Sequence, residues 1–237
     1  MTITEKIKLA QEKGKYLDFY CERIAGEESL LSVINFSDEP LNTISNFAFI
    51  IAGFFLIKLI RSEQIFKAKN FDIIILSLNL FLIGVGSAIY HYHPNKTTLL
   101  VDVLPISFFM HFYLVSLSVR VVGLKIWQSL IILGIFIYAN YWAGANFDAQ
   151  ILNGTILYLP SFTTLMLMVF ASFIKNHPAK NYLLNTAILW LISLSFRTID
   201  ISTCELTMGI GTHIIWHIIN AAVLYRLVKA LTIKKPL

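Results

Sequence analysis

The 237-residue chain is 57% hydrophobic and only 14% charged, with a mean hydropathy of +0.69, whereas a water-soluble globule keeps about a quarter of its residues charged. Its net charge of +5 does not indicate nucleic-acid binding, because the 19 Lys and Arg residues sit in short blocks between apolar runs and interleave little with aromatics. A helix crosses the hydrocarbon with roughly 20 mostly apolar residues and must satisfy its own backbone amides there, so the composition predicts an all-α membrane protein.

Residues 1–40 form a polar N-terminal segment without the basic, apolar and small-residue regions of a secretory signal. Apolar runs then predict seven transmembrane helices within residues 41–231: Leu41 to Ile60, Phe71 to Tyr92, Thr98 to Val119, Ile126 to Trp142, Ile151 to Ile174, Tyr182 to Ile199 and Met208 to Leu231. Residues 232–237 are left as a tail. With seven spans, Lys58, Arg61, Lys67, Lys69, Arg120, Lys125, Lys175, Lys180, Arg226, Lys229, Lys234 and Lys235 share one side, against Lys96, Arg197 and the basic residues of the N-terminal segment on the other. The positive-inside rule then puts the C-terminus in the cytoplasm and the N-terminus outside. The expected setting is a multi-pass protein of a bacterial inner membrane.

Ionisable side chains at membrane depth are costly, so each needs a partner or a task. The second span ends in Gly84-Val85-Gly86-Ser87-Ala88-Ile89-Tyr90-His91, the third opens with Val101-Asp102-Val103-Leu104-Pro105, and the seventh opens with Gly211-Thr212-His213-Ile214-Ile215-Trp216-His217. The predicted topology places all three ends on the non-cytoplasmic side. His213 and His217 are spaced i, i+4 and share a helix face, and Ser87 and His91 repeat that relation on another helix. Three imidazoles from two helices match the open zinc site, in which three protein ligands leave a fourth position for water. Asp102 is placed to orient or deprotonate that water.

The plainer readings differ by residue. Paired histidines that only hydrogen-bond to neighbouring helices contribute about 1 kcal/mol, and two on one face favour metal binding over that use. Ser87 alone reads as a small packing residue, whereas a lone buried carboxylate such as Asp102 is harder to dismiss. His93, before Pro94, reads as a loop residue. His111 falls about 180° around the helix from Asp102, and His177 lies on the cytoplasmic side. Asn220, three residues after His217, continues the polar face and is expected to support the ligands from behind. Arg197 and Asp200, spaced i, i+3, are expected to neutralise each other at a helix end.

Six stretches, in order, resemble the alkaline ceramidase family and the wider superfamily of seven-helix membrane hydrolases that includes adiponectin-receptor-like proteins. They are Tyr20-Cys21-Glu22-Arg23, Glu39-Pro40-Leu41-Asn42-Thr43-Ile44-Ser45-Asn46, Gly86-Ser87 to His91, Asp102 to Pro105, Phe196-Arg197-Thr198-Ile199-Asp200, and Gly211-Thr212-His213 to Asn220. The resemblance implies Zn2+ held by His91, His213 and His217, with Asp102 and Ser87 completing the site. The implied reaction is hydrolysis of the amide bond of a ceramide. It also implies Ca2+ near the zinc: Glu22 and Glu39 match acidic ligands, and Tyr20 stands where the family has tryptophan. Asp18 is displaced by one residue from the leading aspartate, and Ile24 occupies the position of an asparagine ligand.

The chain has two cysteines, Cys21 and Cys204, both predicted outside the cytoplasm, where oxidation is permitted. Spacing alone leaves them paired or free; the resemblance implies a bridge. Functionally, the leading reading is a zinc amidase that takes a ceramide-like lipid sideways from the membrane. The alternatives are a non-catalytic lipid receptor or lipid-binding protein with a structural zinc site, and a proton-coupled transporter, which no broken-helix repeat supports.

Overall fold

The computed structural model describes residues 2–12, 20–26, 29, 36–63, 65, 67, 70–148 and 150–233. Its elements, in order, are α1 (Ile3–Glu12), α2 (Cys21–Ala25), α3 (Pro40–Ser45), α4 (Phe47–Ser62), α5 (Phe71–Tyr92), α6 (Lys96–Leu117), α7 (Ile126–Asn146), α8 (Leu159–Ile174), α9 (Lys180–Ile199) and α10 (His213–Ala230). Among the described residues there is no strand. The helices from α4 to α10 close into a ring in chain order, with α10 packed against both α9 and α4 and also against α5.

Among the described residues, six helical segments are long and apolar enough to cross a membrane: Pro40–Ser62, Phe71–Tyr92, Lys96–Val122, Ile126–Asn146, Ile151–Ile174 and Lys180–Ile199. Side chains such as Phe54, Leu82, Ile135 and Phe170 face outward from them and are exposed, as lipid-facing residues must be. The seventh predicted span is a shorter helix. It starts at His213 rather than Met208, because Met208, Gly209 and Gly211 take positive φ values of 51°, 82° and 75° that no helix continues through. It carries His213, His217, Asn220, Arg226 and Lys229 in its 18 residues and closes the ring between α9 and α4.

Helix ends follow from local chemistry. Asn95 opens α6 with a capping box, its side chain accepting from the Thr97 and Thr98 N–H groups at 2.9 and 3.0 Å. Ten residues on, Pro105 lacks the N–H that would bond the Val101 carbonyl. That carbonyl faces Gly86 of α5, so closely that a Cβ at position 86 would clash with its oxygen. Proline on one helix and glycine on the other therefore bring α5 and α6 together at the level of Asp102.

At the other end of these helices, α6 runs into a π-helical turn, Ser118–Val122, that closes on Gly123 at φ 78°. Arg120 in that turn donates to both oxygens of Asp72, at 2.6 and 2.5 Å, and ties the turn to the start of α5. The first span of the second half also starts irregularly. Leu152, Asn153 and Gly154 are left-handed, and the Asn153 side chain donates to the Arg197 carbonyl at 3.0 Å.

Candidate metal centre

At one mouth of the bundle α10 packs against α9, α3, α4 and α5, and α5 against α6. His91 comes from α5, and His213 and His217 come from successive turns of α10. All three are buried, at 1%, 1% and 0% exposure. Their ring centroids are 4.5 to 5.3 Å apart, and one ligand nitrogen from each lies within 4.8 Å of the others. The predicted convergence of three imidazoles is therefore present.

Hydrogen bonds fix which nitrogen faces inward. Glu39 Oε2 accepts from His91 Nδ1 at 2.6 Å, so the ring presents Nε2 to the site. Ser45 lies 2.7 Å from His217 Nδ1 and donates its own proton to the Asn42 carbonyl at 2.9 Å. It therefore accepts from the ring and leaves His217 Nε2 as a lone pair. His213 is sandwiched between the Tyr20 ring, at 3.8 Å, and the Trp216 ring, at 4.8 Å.

A divalent cation fits this set. His217 Nε2 and both nitrogens of His213 are buried with no hydrogen-bond partner among the described residues. Such groups cost about 1–3 kcal/mol each when left unsatisfied. Three imidazoles with converging ring nitrogens are a donor set that Zn2+ accepts.

The other predicted residues fall around the centre. Ser87 is buried on the same face of α5 as His91, one turn away, and Asp102 is buried on α6 where that helix meets Gly86. Asn220 lines a small, partly open apolar cavity of about 70 Å³ between α5 and α10, with Tyr158, Leu165 and Trp190 among its walls. His93 is exposed beyond α5, as expected of a loop residue. His111 bonds the Ser107 carbonyl at 2.6 Å and packs on Phe136. His177 is buried beside the start of α9 and accepts the Ala179 N–H at 3.2 Å.

The expected mutual neutralisation of Arg197 and Asp200 does not occur. Asp200 keeps helical dihedrals at the end of α9, but its side chain is taken by backbone donors. Its carboxylate accepts the N–H groups of Cys21, Thr212 and His213 at 2.8, 2.6 and 2.9 Å. It joins the N-terminal segment to the first turn of α10. Arg197 instead donates to the Tyr20 hydroxyl at 3.0 Å, and its guanidinium lies over the Tyr20, Tyr158 and Trp216 rings at 5.3 to 5.6 Å. Cys21 and Cys204 are joined as a disulfide, which fastens Tyr20 over His213.

The calcium set implied by the sequence does not fit. Asp18 lies outside the described residues. Glu22 is buried and accepts the N–H groups of Leu41 and Asn42 at 2.7 and 2.9 Å, capping α3; burial pushes its carboxyl up to about 7 against those two bonds. Glu39, fully buried, gives Oε1 to Arg23 and Oε2 to His91 and to the Asn42 side chain, the last at 2.8 Å. Burial alone would raise its pKa, but His91 and Arg23 outweigh burial and hold it below the ordinary range. With all four lone-pair positions filled, Glu39 has none left for a further ion.

Sequence reasoning missed Ser45 as the partner of His217 and Asp200 as the anchor of α10. The ordered stretches Glu39 to Asn46 and Phe196 to Asp200 were the signal available for both. In comparisons with known proteins, a family model described as Ceramidase matches residues 28–235. No curated protein matches the chain.

Proposed function

The chain belongs to the ceramidase family, and we propose that it is a zinc-dependent intramembrane amidase that cleaves ceramide, or a related N-acyl lipid, to a sphingoid base and a free fatty acid. The observation that carries this reading is the convergence of His91, His213 and His217, with their Nδ1 or ring faces held by Glu39, Ser45 and Tyr20. His91, His213 and His217 would hold a Zn2+ ion, which would lower the pKa of a water to about 7 and polarise the amide carbonyl.

The chain's own groups supply the rest. Asp102 takes a proton as water adds to the carbonyl carbon and returns it to the amine nitrogen as the C–N bond breaks. Ser87 donates a hydrogen bond to the oxygen on which negative charge develops. The cavity below Asn220 is lined mostly by apolar side chains, as an acyl chain requires. Seven spans, with the N-terminus outside and the C-terminus in the cytoplasm of a bacterial inner membrane, complete the proposal and place the mouth at the outer leaflet.

Zinc-loaded protein incubated with labelled ceramide tests it. Fatty acid release is expected from the wild type, with loss in His217→Ala and after chelation. Zinc binding without release from any of a panel of N-acyl lipids would instead favour a lipid-binding protein with a structural metal.

A further inference from the structure

We propose that the Arg23 guanidinium, rather than a calcium ion, is the cation that holds Glu39 against His91, so that the metal centre of this protein is set without calcium. The inference rests on the reading that the three imidazoles bind zinc; it does not depend on amidase activity.

Arg23 sits in α2, where its Nε donates to Glu39 Oε1 at 2.6 Å and its NH2 group pairs with the same oxygen. Its guanidinium also lies 5.5 Å from the centre of the Tyr90 ring and donates to the Tyr90 hydroxyl at 3.4 Å. Tyr90 and His91 are neighbours on α5. The helix that presents the imidazole thus also anchors the cation that charges its carboxylate partner.

Saturation of Glu39 makes the assignment specific. Two Arg23 N–H groups occupy Oε1, while His91 and Asn42 occupy Oε2, which accounts for the capacity of one carboxylate. The neighbouring residue that would have to contribute a ligand is Ile24, which has no side-chain donor atom. A buried carboxylate needs a paired charge. Arg23 provides it covalently, where an ion would have to be recruited. Two directed N–H donors on Oε1 hold that oxygen to one side and leave Oε2 to His91 and Asn42, a division that a spherical ion does not impose.

The test uses full-length protein in detergent, stripped of metal and titrated with zinc against a chromogenic competitor. Wild-type zinc affinity and melting temperature are expected to be the same in calcium-free buffer and in millimolar calcium. Arg23→Gln should bind zinc about 10–100-fold more weakly, the usual cost of losing a group that orients a ligand, while its helical spectrum is retained. Arg23→Lys should lose less, because it restores the charge without the fork. Tighter zinc binding or a higher melting temperature of the wild type in calcium would overturn the proposal, as would wild-type zinc affinity in Arg23→Gln. If Arg23→Gln does not fold, the calcium arm on the wild type decides alone. A wild type that binds no zinc in either buffer would overturn the reading of the metal centre itself.

Discussion

The Asp200 carboxylate accepts the backbone N–H of His213 at 2.9 Å, so a residue just past α9 fixes the first residue of the helix that carries two of the three imidazoles. The same carboxylate holds Thr212 and Cys21, and Gly211 is needed beside it because a Cβ there would overlap Asp200 Oδ1. Asp200→Ala leaves three buried N–H groups without an acceptor, at about 1–3 kcal/mol each. We expect a destabilisation of about 3 kcal/mol or more in detergent unfolding, with zinc affinity reduced in the protein that still folds. Asp200→Asn keeps one acceptor oxygen and should lie between that variant and wild type.

Gly86 offers a test of helix spacing. A methyl group at this position meets the carbonyl that Pro105 leaves unbonded, so Gly86→Ala must push α5 from α6 where Ser87, His91 and Asp102 are positioned. Overpacking of this kind costs about 1–3 kcal/mol, and fatty acid release should fall with it. Gly134 and Gly144 on α7 have nothing within 4 Å of an added Cβ. Alanine at either should be neutral or stabilising by up to about 1 kcal/mol. Equal effects at positions 86 and 134 would contradict the close approach of α5 and α6.

How much of this was legible in the sequence depends on the range of each relationship. Runs such as Phe71 to Tyr92 announce a span because every residue carries part of the signal, and six of the seven predicted starts fall within two residues of the start of a span in the structure. His213 and His217 were legible because i, i+4 spacing fixes a shared face. Ser45 and His217 are separated by 172 residues, and Glu39 and His91 by 52, so no local pattern could pair them. Arg197 and Asp200 misled for a related reason. Their spacing permits a pair, but residues distant in sequence compete for both side chains: Cys21, Thr212 and His213 for Asp200, and Tyr20 for Arg197. The start of α10 was placed too early because hydropathy does not register the positive φ of Met208.

Ser45 should matter through the metal rather than through the fold. Its hydroxyl accepts from His217 Nδ1, and removal in Ser45→Ala frees that ring to rotate and to change tautomer. Zinc affinity is expected to fall about 10–100-fold, with the loss of fatty acid release recovered at high zinc. Melting of the metal-free protein should change by about 1 kcal/mol or less, the net worth of one hydrogen bond. A variant that loses activity at saturating zinc would show that Ser45 acts in the reaction and not through His217.

Reduction of the Cys21 to Cys204 bridge should loosen the mouth. The two residues are 183 positions apart, and chain entropy alone assigns a loop that long about 5 kcal/mol. Helices that stay inserted in a membrane restrict the unfolded chain, so the measured loss for Cys21→Ser with Cys204→Ser should be smaller than that. It should appear as a lower melting temperature, with increased solvent exposure at Tyr20 because Tyr20 precedes Cys21 and rests on His213. Identical gel mobility with and without reductant, after free thiols are blocked, would mean that the purified protein lacks the bridge.

The cavity makes a prediction about chain length. Its walls include Leu165 on α8, across from Asn220 and Leu224 on α10, and they are almost entirely apolar. A tryptophan at position 165 would occupy part of the space without touching His91, His213, His217, Ser87 or Asp102. If the acyl chain of the substrate lies there, Leu165→Trp should lower kcat/KM for long-chain amides by about 10-fold or more, since each excluded CH2 forfeits about 0.8 kcal/mol of burial. Short-chain amides, which do not reach this depth, should be cleaved at close to the wild-type rate, and zinc affinity should not change. A uniform loss across chain lengths would place the lipid elsewhere, and the outward-facing surface between helices would then be the place to look for it.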